Sequence, residues 1–244
     1  MARFVLVHGA FAGGWIWGPL AERLEAAGHE VEAPDLPGMG EDTTPVEEVT
    51  LAAYADRVCE VLDASPEQSI LVGNSMGGVV MTEAAARRPE KVKRLIYVAA
   101  FMPADGQSLV QLTELPEGEG DLVQATVVVS GEPPVGVLPE ASLREGNLAC
   151  PADVLEWAVE SAGPQPVVPF TEPVSLNDDF ERIPRSYVIS TRDRFIPPPL
   201  QRRMVKDRNV TDVVELDTDH HPQLSRPDEL AAALDERARE GVAA

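Results

Sequence analysis

The stretch ILVGNSMGGVV, residues 70–80, sets a serine among glycines directly after an apolar run. Ile70, Leu71 and Val72 read as a short buried strand, and Val79, Val80, Met81 and the alanines beyond them as a helix. The chain must turn sharply between the two. Gly73, Ser75 and Gly77 match the pattern G-x-S-x-G, in which the serine occupies a strained strand-to-helix turn and exposes its hydroxyl at the tip. An ordinary glycine-rich turn would look the same, so the motif needs partners elsewhere in the chain.

Working outward, apolar runs alternate with amphipathic segments. Strands are expected at 4–7, 30–33, 69–72, 92–99, 186–190 and 212–216. Helices are expected at 15–27, 51–62, 76–88, around 200–206 and at 227–240. Thr50 suits the N-cap of the second helix, and Pro89 lies just past the end of the third. This alternation implies an α/β fold with a mostly parallel sheet and helices on both faces. The rhythm breaks between Met102 and Arg185, a stretch rich in Pro, Gly and acids that includes PEGEGD and GEPPVG. A structureless loop of that length is improbable. Residues 1–101 and 185–244 therefore read as the core, and 102–184 as an inserted cap with a helix at 151–162 and a hairpin within 125–138.

The chain has 244 residues, enough for one α/β domain with a substantial core. Its 41 acidic against 20 basic residues give a net charge of −21, which argues against nucleic acid and anionic membranes as partners. No apolar run approaches the ~18 residues of a membrane span. The run at 4–7 is too short for a secretory core, so a cytoplasmic location is expected. Cys59 and Cys150 lack metal-ligand spacing and read as reduced structural thiols.

A serine hydroxyl needs a base, and only His8, His29, His220 and His221 are available. His29 follows a helix-ending glycine and reads as a surface turn. His220 and His221 sit in LDTDHHPQLS, after the last strand. Loops at the carboxyl ends of parallel strands share one edge, which brings either histidine toward Ser75. A carboxylate must then fix the tautomer of the base. Asp193, past the carboxyl end of the 186–190 strand, completes the chain order Ser, Asp, His. Asp217 and Asp219 are the alternatives, with turn formation as their ordinary role. The loop HGAFAGGW after the first strand supplies backbone donors for an oxyanion, with the amide of Ala10 as one donor and that of Met76 as the other. The same loop lacks the lysine and spacing of a phosphate-binding loop.

At this point FVLVHGAFAGGWIW, LAAYADRV, LVGNSMGG, VAAFMPADGQSL and DTDHHPQLSRPDEL resemble the α/β-hydrolase branch that contains plant methyl-ester esterases, hydroxynitrile lyases and bacterial relatives. The resemblance covers roughly residues 3–108 and 184–238. It implies Ser75 as nucleophile, His220 as base, Asp193 as its orienting acid and the amides of Ala10 and Met76 as oxyanion hole, with no metal or other cofactor. Asn74 departs from the pattern, since many esterases of this branch carry His there. It is expected to pack behind the turn or to hydrogen-bond a loop. His221 stands where the lyases carry a lysine that handles cyanide, and Gly9 matches the esterases. Both favour ester hydrolysis.

The resulting expectation is a serine hydrolase for small, largely apolar carboxylic esters, acting through an acyl-enzyme. A lyase or cyclase using the triad as general base is the first alternative, and a non-catalytic small-molecule receptor the second. Phe11, Met102 and Trp157 are expected to wall the pocket, with core packing as the competing role for Trp157. Trp15 and Trp17 are expected to pack under the first helix, with a place in the pocket lining as the alternative for one of them. A homo-oligomer is compatible with the sequence but not indicated by it.

Overall fold

Side-chain alternation along the strands divides the apolar residues between two faces of one sheet. Val5, Leu71, Leu95 and Tyr97 pack into a core on one face, and Phe4, Leu6, Ile70, Val72, Ile96 and Val98 into a second core on the other. Near-continuous apolar runs arise because both faces are covered. Each fully buried aliphatic side chain contributes about 1.5–3 kcal/mol.

The computed structural model describes residues 1–239. In chain order, β1 (Arg3–Val7), α1 (Gly18–Ala26), β2 (Glu30–Glu32), α2 (Leu51–Asp63), β3 (Ser69–Ser75), α3 (Gly77–Arg87) and β4 (Val92–Ala100) build the first half. The segment that follows contains α4 (Leu109–Thr113), α5 (Leu122–Thr126), β5 (Val128–Ser130), β6 (Val135–Val137), α6 (Glu140–Glu145), α7 (Ala152–Ser161), β7 (Gln165–Pro166), α8 (Val168–Thr171) and α9 (Asp178–Glu181). The chain returns through β8 (Arg185–Ser190), α10 (Pro198–Asp207), β9 (Asp212–Leu216), α11 (Pro222–Ser225) and α12 (Pro227–Arg239). The main sheet is parallel throughout, in the order β2-β1-β3-β4-β8-β9. A small antiparallel sheet, β5-β6-β7, lies in the inserted segment and contains the expected hairpin.

Local chemistry accounts for the element ends. Thr50 Oγ1 accepts from Ala53 N at 3.0 Å and caps α2 as expected. The first helix starts later than its periodicity suggests. Gly14–Trp17 forms a tighter 3-10 turn, and α1 begins at Gly18 with Pro19 in its first turn. β3 runs on through Gly73, Asn74 and Ser75 to the tip of the turn, so Met76 is the N-cap of α3 and not its first residue. The helix expected over 227–240 is seen to Arg239, and Glu240 lies outside the described residues.

His29 follows the turn at Ala27 and Gly28, among exposed neighbours as expected, but its ring turns inward: the side chain is 4% exposed. The ring packs edge-on against Phe4, accepts from Ala2 N at 3.2 Å through Nδ1 and donates to Asp235 Oδ1 at 3.0 Å through Nε2. The inserted segment is also less separate than its composition implied. Leu109, Leu112, Val174, Phe180 and Ile183 belong to the same core as α2 and α3.

Gly77 makes the sharp turn possible. A Cβ there would lie 2.2 Å from the Val7 carbonyl oxygen and 2.7 Å from that of His8, both backbone atoms that cannot swing aside. Gly77→Ala is therefore expected to destabilise the fold by about 1–3 kcal/mol, the usual cost of overpacking. Urea unfolding checks this: the midpoint should fall while the slope holds.

Candidate active site

The carboxyl ends of β1, β3, β8 and β9 lie along one sheet edge, where the loops of parallel strands converge. Ser75 ends β3 with φ of 56°, a left-handed conformation that is costly for a residue with a Cβ. The close approach of neighbouring backbone holds it there. Phe101 N donates to Ser75 O at 3.1 Å, and a Cβ on Gly9 would sit 2.8 Å from Ser75 Cβ. The N-terminus of α3 begins just beyond, so its partial positive charge faces the serine edge.

The loops after β8 and β9 bring Asp193 and His220 into contact. His220 Nδ1 lies 2.8 Å from Asp193 Oδ2, and both side chains are nearly fully buried. An ionised carboxylate only accepts, so Nδ1 carries the hydrogen and Nε2 keeps its lone pair. Asp193 is saturated with donors. Its Oδ1 accepts from Phe195 N at 2.8 Å and Ile196 N at 3.0 Å, and Gln201 Nε2 donates to its Oδ2 at 2.9 Å. Ser75 and His220 line one cavity. Among the described residues, neither Ser75 Oγ nor His220 Nε2 is committed to another protein group.

The competing carboxylates and the second histidine are engaged elsewhere. Asp217 is exposed and pairs with Arg192 at 3.0 Å. Asp219 Oδ2 accepts from Ala149 N at 2.6 Å, and burial pushes its carboxyl above the ordinary range. His221 Nδ1 donates to Asn147 Oδ1 at 2.5 Å. Burial, helped by the neighbouring His220, pushes the His221 ring well below its ordinary value and keeps it neutral. Asn74 fulfils the expectation of a loop contact. Its Nδ2 donates to Val98 O at 2.9 Å and to His220 O at 3.2 Å, while its Oδ1 accepts from Gln223 Nε2 at 3.1 Å. The strand carrying the serine thus holds the backbone of the histidine.

The loop after β1 supplies Ala10 and Phe11 to the same cavity. His8 is fully buried and locks this loop, donating from Nδ1 to Gly9 O at 2.8 Å and accepting from Leu36 N at 3.1 Å. Desolvation lowers its pKa, so it stays neutral. Phe11 has φ of 61°, and Phe11 N donates to Gln165 Oε1 at 3.3 Å. Among the described residues, the amides of Ala10 and Met76 donate to no protein acceptor.

The cavity measures about 270 Å³. Ala10, Phe11, Ser75, Met76 and His220 form its floor. The inserted segment closes it with mostly apolar side chains, including Val127, Leu138, Leu143, Leu155 and Phe170. Two expected wall residues are absent from it. Met102 is buried among core side chains, its amide directed at Met204 Sδ at 3.3 Å. Trp157 is 40% exposed and packs edge-on against Trp15, with ring centroids 5.0 Å apart. Of the two, Trp15 is the one that reaches the cavity. Trp17 packs in the core beneath α1.

Sequence reading did not find Gln201, Gln165, Asn147 and Asp121. Gln165 and Asn147 act through partners distant in the chain, Gln201 reaches back to Asp193 and Asp121 caps its own helix, and single polar residues of this kind carry no spacing signal. Gln201 had one faint cue, its place on the helix following the Asp193 loop.

Residues 4–233 match the family described as the alpha/beta hydrolase family. Methylesterase 7 of Arabidopsis thaliana is 32% identical over 95% of this chain and 94% of its own. Alpha-hydroxynitrile lyase of the same plant is 34% identical over 95% of each. A crystal structure of a pyrethroid hydrolase from Sphingobium faniae JZ-2 superposes with a TM-score of 0.86 at 27% identity, covering 99% of this chain and 98% of that one.

Proposed function

The chain belongs to the alpha/beta hydrolase family and is a carboxylic ester hydrolase, and from that premise we propose that it cleaves small, largely apolar esters through an acyl-enzyme on Ser75. The observation carrying this reading is the buried 2.8 Å bond from His220 to Asp193, with Ser75 facing the same cavity on a strained turn.

In this mechanism Ser75 Oγ attacks the ester carbonyl while His220 Nε2 takes its proton. Asp193 holds the ring and stabilises the imidazolium. The amides of Ala10 and Met76 receive the oxyanion, aided by the N-terminus of α3. The imidazolium then protonates the departing alcohol. Water, deprotonated by His220, attacks the acyl group, and collapse of the second tetrahedral intermediate returns Ser75. The scheme uses protein groups alone. The segment between β4 and β8 acts as the cap, since its apolar side chains form the cavity wall. No helix among the described residues is long and apolar enough to cross a membrane. Two buried, unpaired cysteines fit the reducing cytoplasm in which we place the protein.

Trapping the acyl-enzyme tests the chemistry. Rapid quench during turnover of a p-nitrophenyl ester, followed by mass spectrometry, should find the acyl mass on the peptide containing Ser75. The 34% identical lyase relative supplies the second reading, in which the same groups act only as a base. Turnover without any acylated Ser75 would favour it.

A further inference from the structure

The cavity has a charge character that hydrolysis by itself does not require. Among the described residues, no Arg or Lys lines it. Its second imidazole, His221, donates from Nδ1 to Asn147 and is held neutral by burial. Among the described residues, Asp121 is the one carboxyl in the lining, and it is 5% exposed.

Part of Asp121 is structural. Its Oδ1 caps α5, accepting from Val123 N at 2.7 Å and Gln124 N at 3.1 Å. Oδ2 has only a long 3.4 Å contact from Gln124 Nε2, so half of the carboxylate remains weakly compensated. Among the described residues, no basic side chain pairs with it. Thr113, Asp121 and Gln124 also form the wall shared with a surface depression that includes Glu114 and Glu119. Negative charge thus extends outward from the cavity at this point.

We propose that Asp121 is a specificity-determining residue that selects esters by the charge of the group remote from the reacting carbonyl. Esters with a remote carboxylate are rejected, neutral esters are accepted, and a remote cation is favoured. The physical ground is that a carboxylate entering here loses its water, meets no fixed cation and faces another carboxylate. A quaternary ammonium instead gains the partner that Oδ2 lacks. This inference deepens the ester-hydrolase reading and rests on it for the reacting group.

The test compares three methyl esters of similar length at pH 8: methyl hexanoate, monomethyl adipate and methyl 4-(trimethylammonio)butyrate. Hydrolysis is followed by pH-stat titration on the full chain. The wild type should turn over the adipate monoester at least about tenfold less efficiently than the hexanoate, as a unit-charge repulsion inside the cavity requires. Asp121→Asn keeps the capping oxygen, since Asn caps helices as well as Asp does. Relative to the hexanoate, it should narrow the adipate gap by about tenfold and lower kcat/KM for the cationic ester by a similar factor. A merely structural role would move all three together. Glu67→Gln, an exposed change elsewhere, should leave the ratios alone. Equal turnover of hexanoate and adipate by the wild type overturns the proposal, as does an unchanged ratio in Asp121→Asn.

Affinities of the same esters for Ser75→Ala, measured by calorimetry, give a reading independent of turnover. The same charge ranking there supports the role of Asp121 even if no ester is hydrolysed, an outcome that would count against the ester-hydrolase reading alone. Loss of the ranking in that assay overturns the charge selection.

Discussion

Ser75→Ala is expected to lower kcat for a neutral methyl ester by about four to six powers of ten and to leave the fold intact. The size follows from what the hydroxyl alone provides. Without Oγ no acyl-enzyme can form, while the cavity, the free amides of Ala10 and Met76 and the His220 base remain. Sites of this type stripped of one triad member keep only the residual rate due to binding and oxyanion stabilisation. Folding should not suffer, because among the described residues Ser75 Oγ makes no hydrogen bond to the protein and alanine keeps the Cβ packed near Gly9. Alanine also tolerates φ of 56° no worse than serine does. The comparison is made at saturating ester, with a thermal melt on both proteins. A variant within tenfold of the wild-type rate would remove Ser75 from the mechanism.

Asp193→Asn should cost about four powers of ten in kcat, for a different reason. Four donors converge on this carboxylate: the amides of Phe195 and Ile196 on Oδ1, and Gln201 Nε2 with His220 Nδ1 on Oδ2. An amide group can offer an oxygen to only one pair. With its oxygen kept toward the two backbone amides, its NH2 confronts Gln201 and His220. The ring then relieves the donor–donor conflict by moving its hydrogen to Nε2, and a protonated Nε2 cannot accept from Ser75. The alternative orientation frees His220 but sets the NH2 against two buried amides, at roughly 1–3 kcal/mol for each unsatisfied donor. Loss of activity should therefore come with lower stability, unlike Ser75→Ala. Activity and urea midpoint measured together distinguish the two variants.

The contrast between these variants reflects how much of the site was legible in the chain. Ser75 announced itself because its geometry is local: strand, glycine, serine, glycine and helix are contiguous. Asp193 and His220 could be named because each follows a recognisable strand, and parallel topology delivers such loops to one edge. Choosing between His220 and His221, or among Asp193, Asp217 and Asp219, by spacing was another matter. Neighbours in sequence diverge in space, and here His221 turns to Asn147 and Asp219 to Ala149. The pocket wall was the least legible part. Met102 and Trp157 were reasonable choices by chemistry, yet the first is absorbed by the core and the second lies outside Trp15. Apolar side chains in a Pro- and Gly-rich segment have no periodicity to say which way they face.

The sequence by itself determined the parallel sheet, the serine turn and the order of the loops, because these rest on alternation, glycine and short-range sterics within a few residues. Only the tertiary structure decided which imidazole meets which carboxylate, that Gln201 and Asn74 hold them, and that Asp121 stands in an otherwise uncharged cavity wall. Those facts depend on contacts between residues many positions apart, where direction and distance come from packing and not from spacing along the chain.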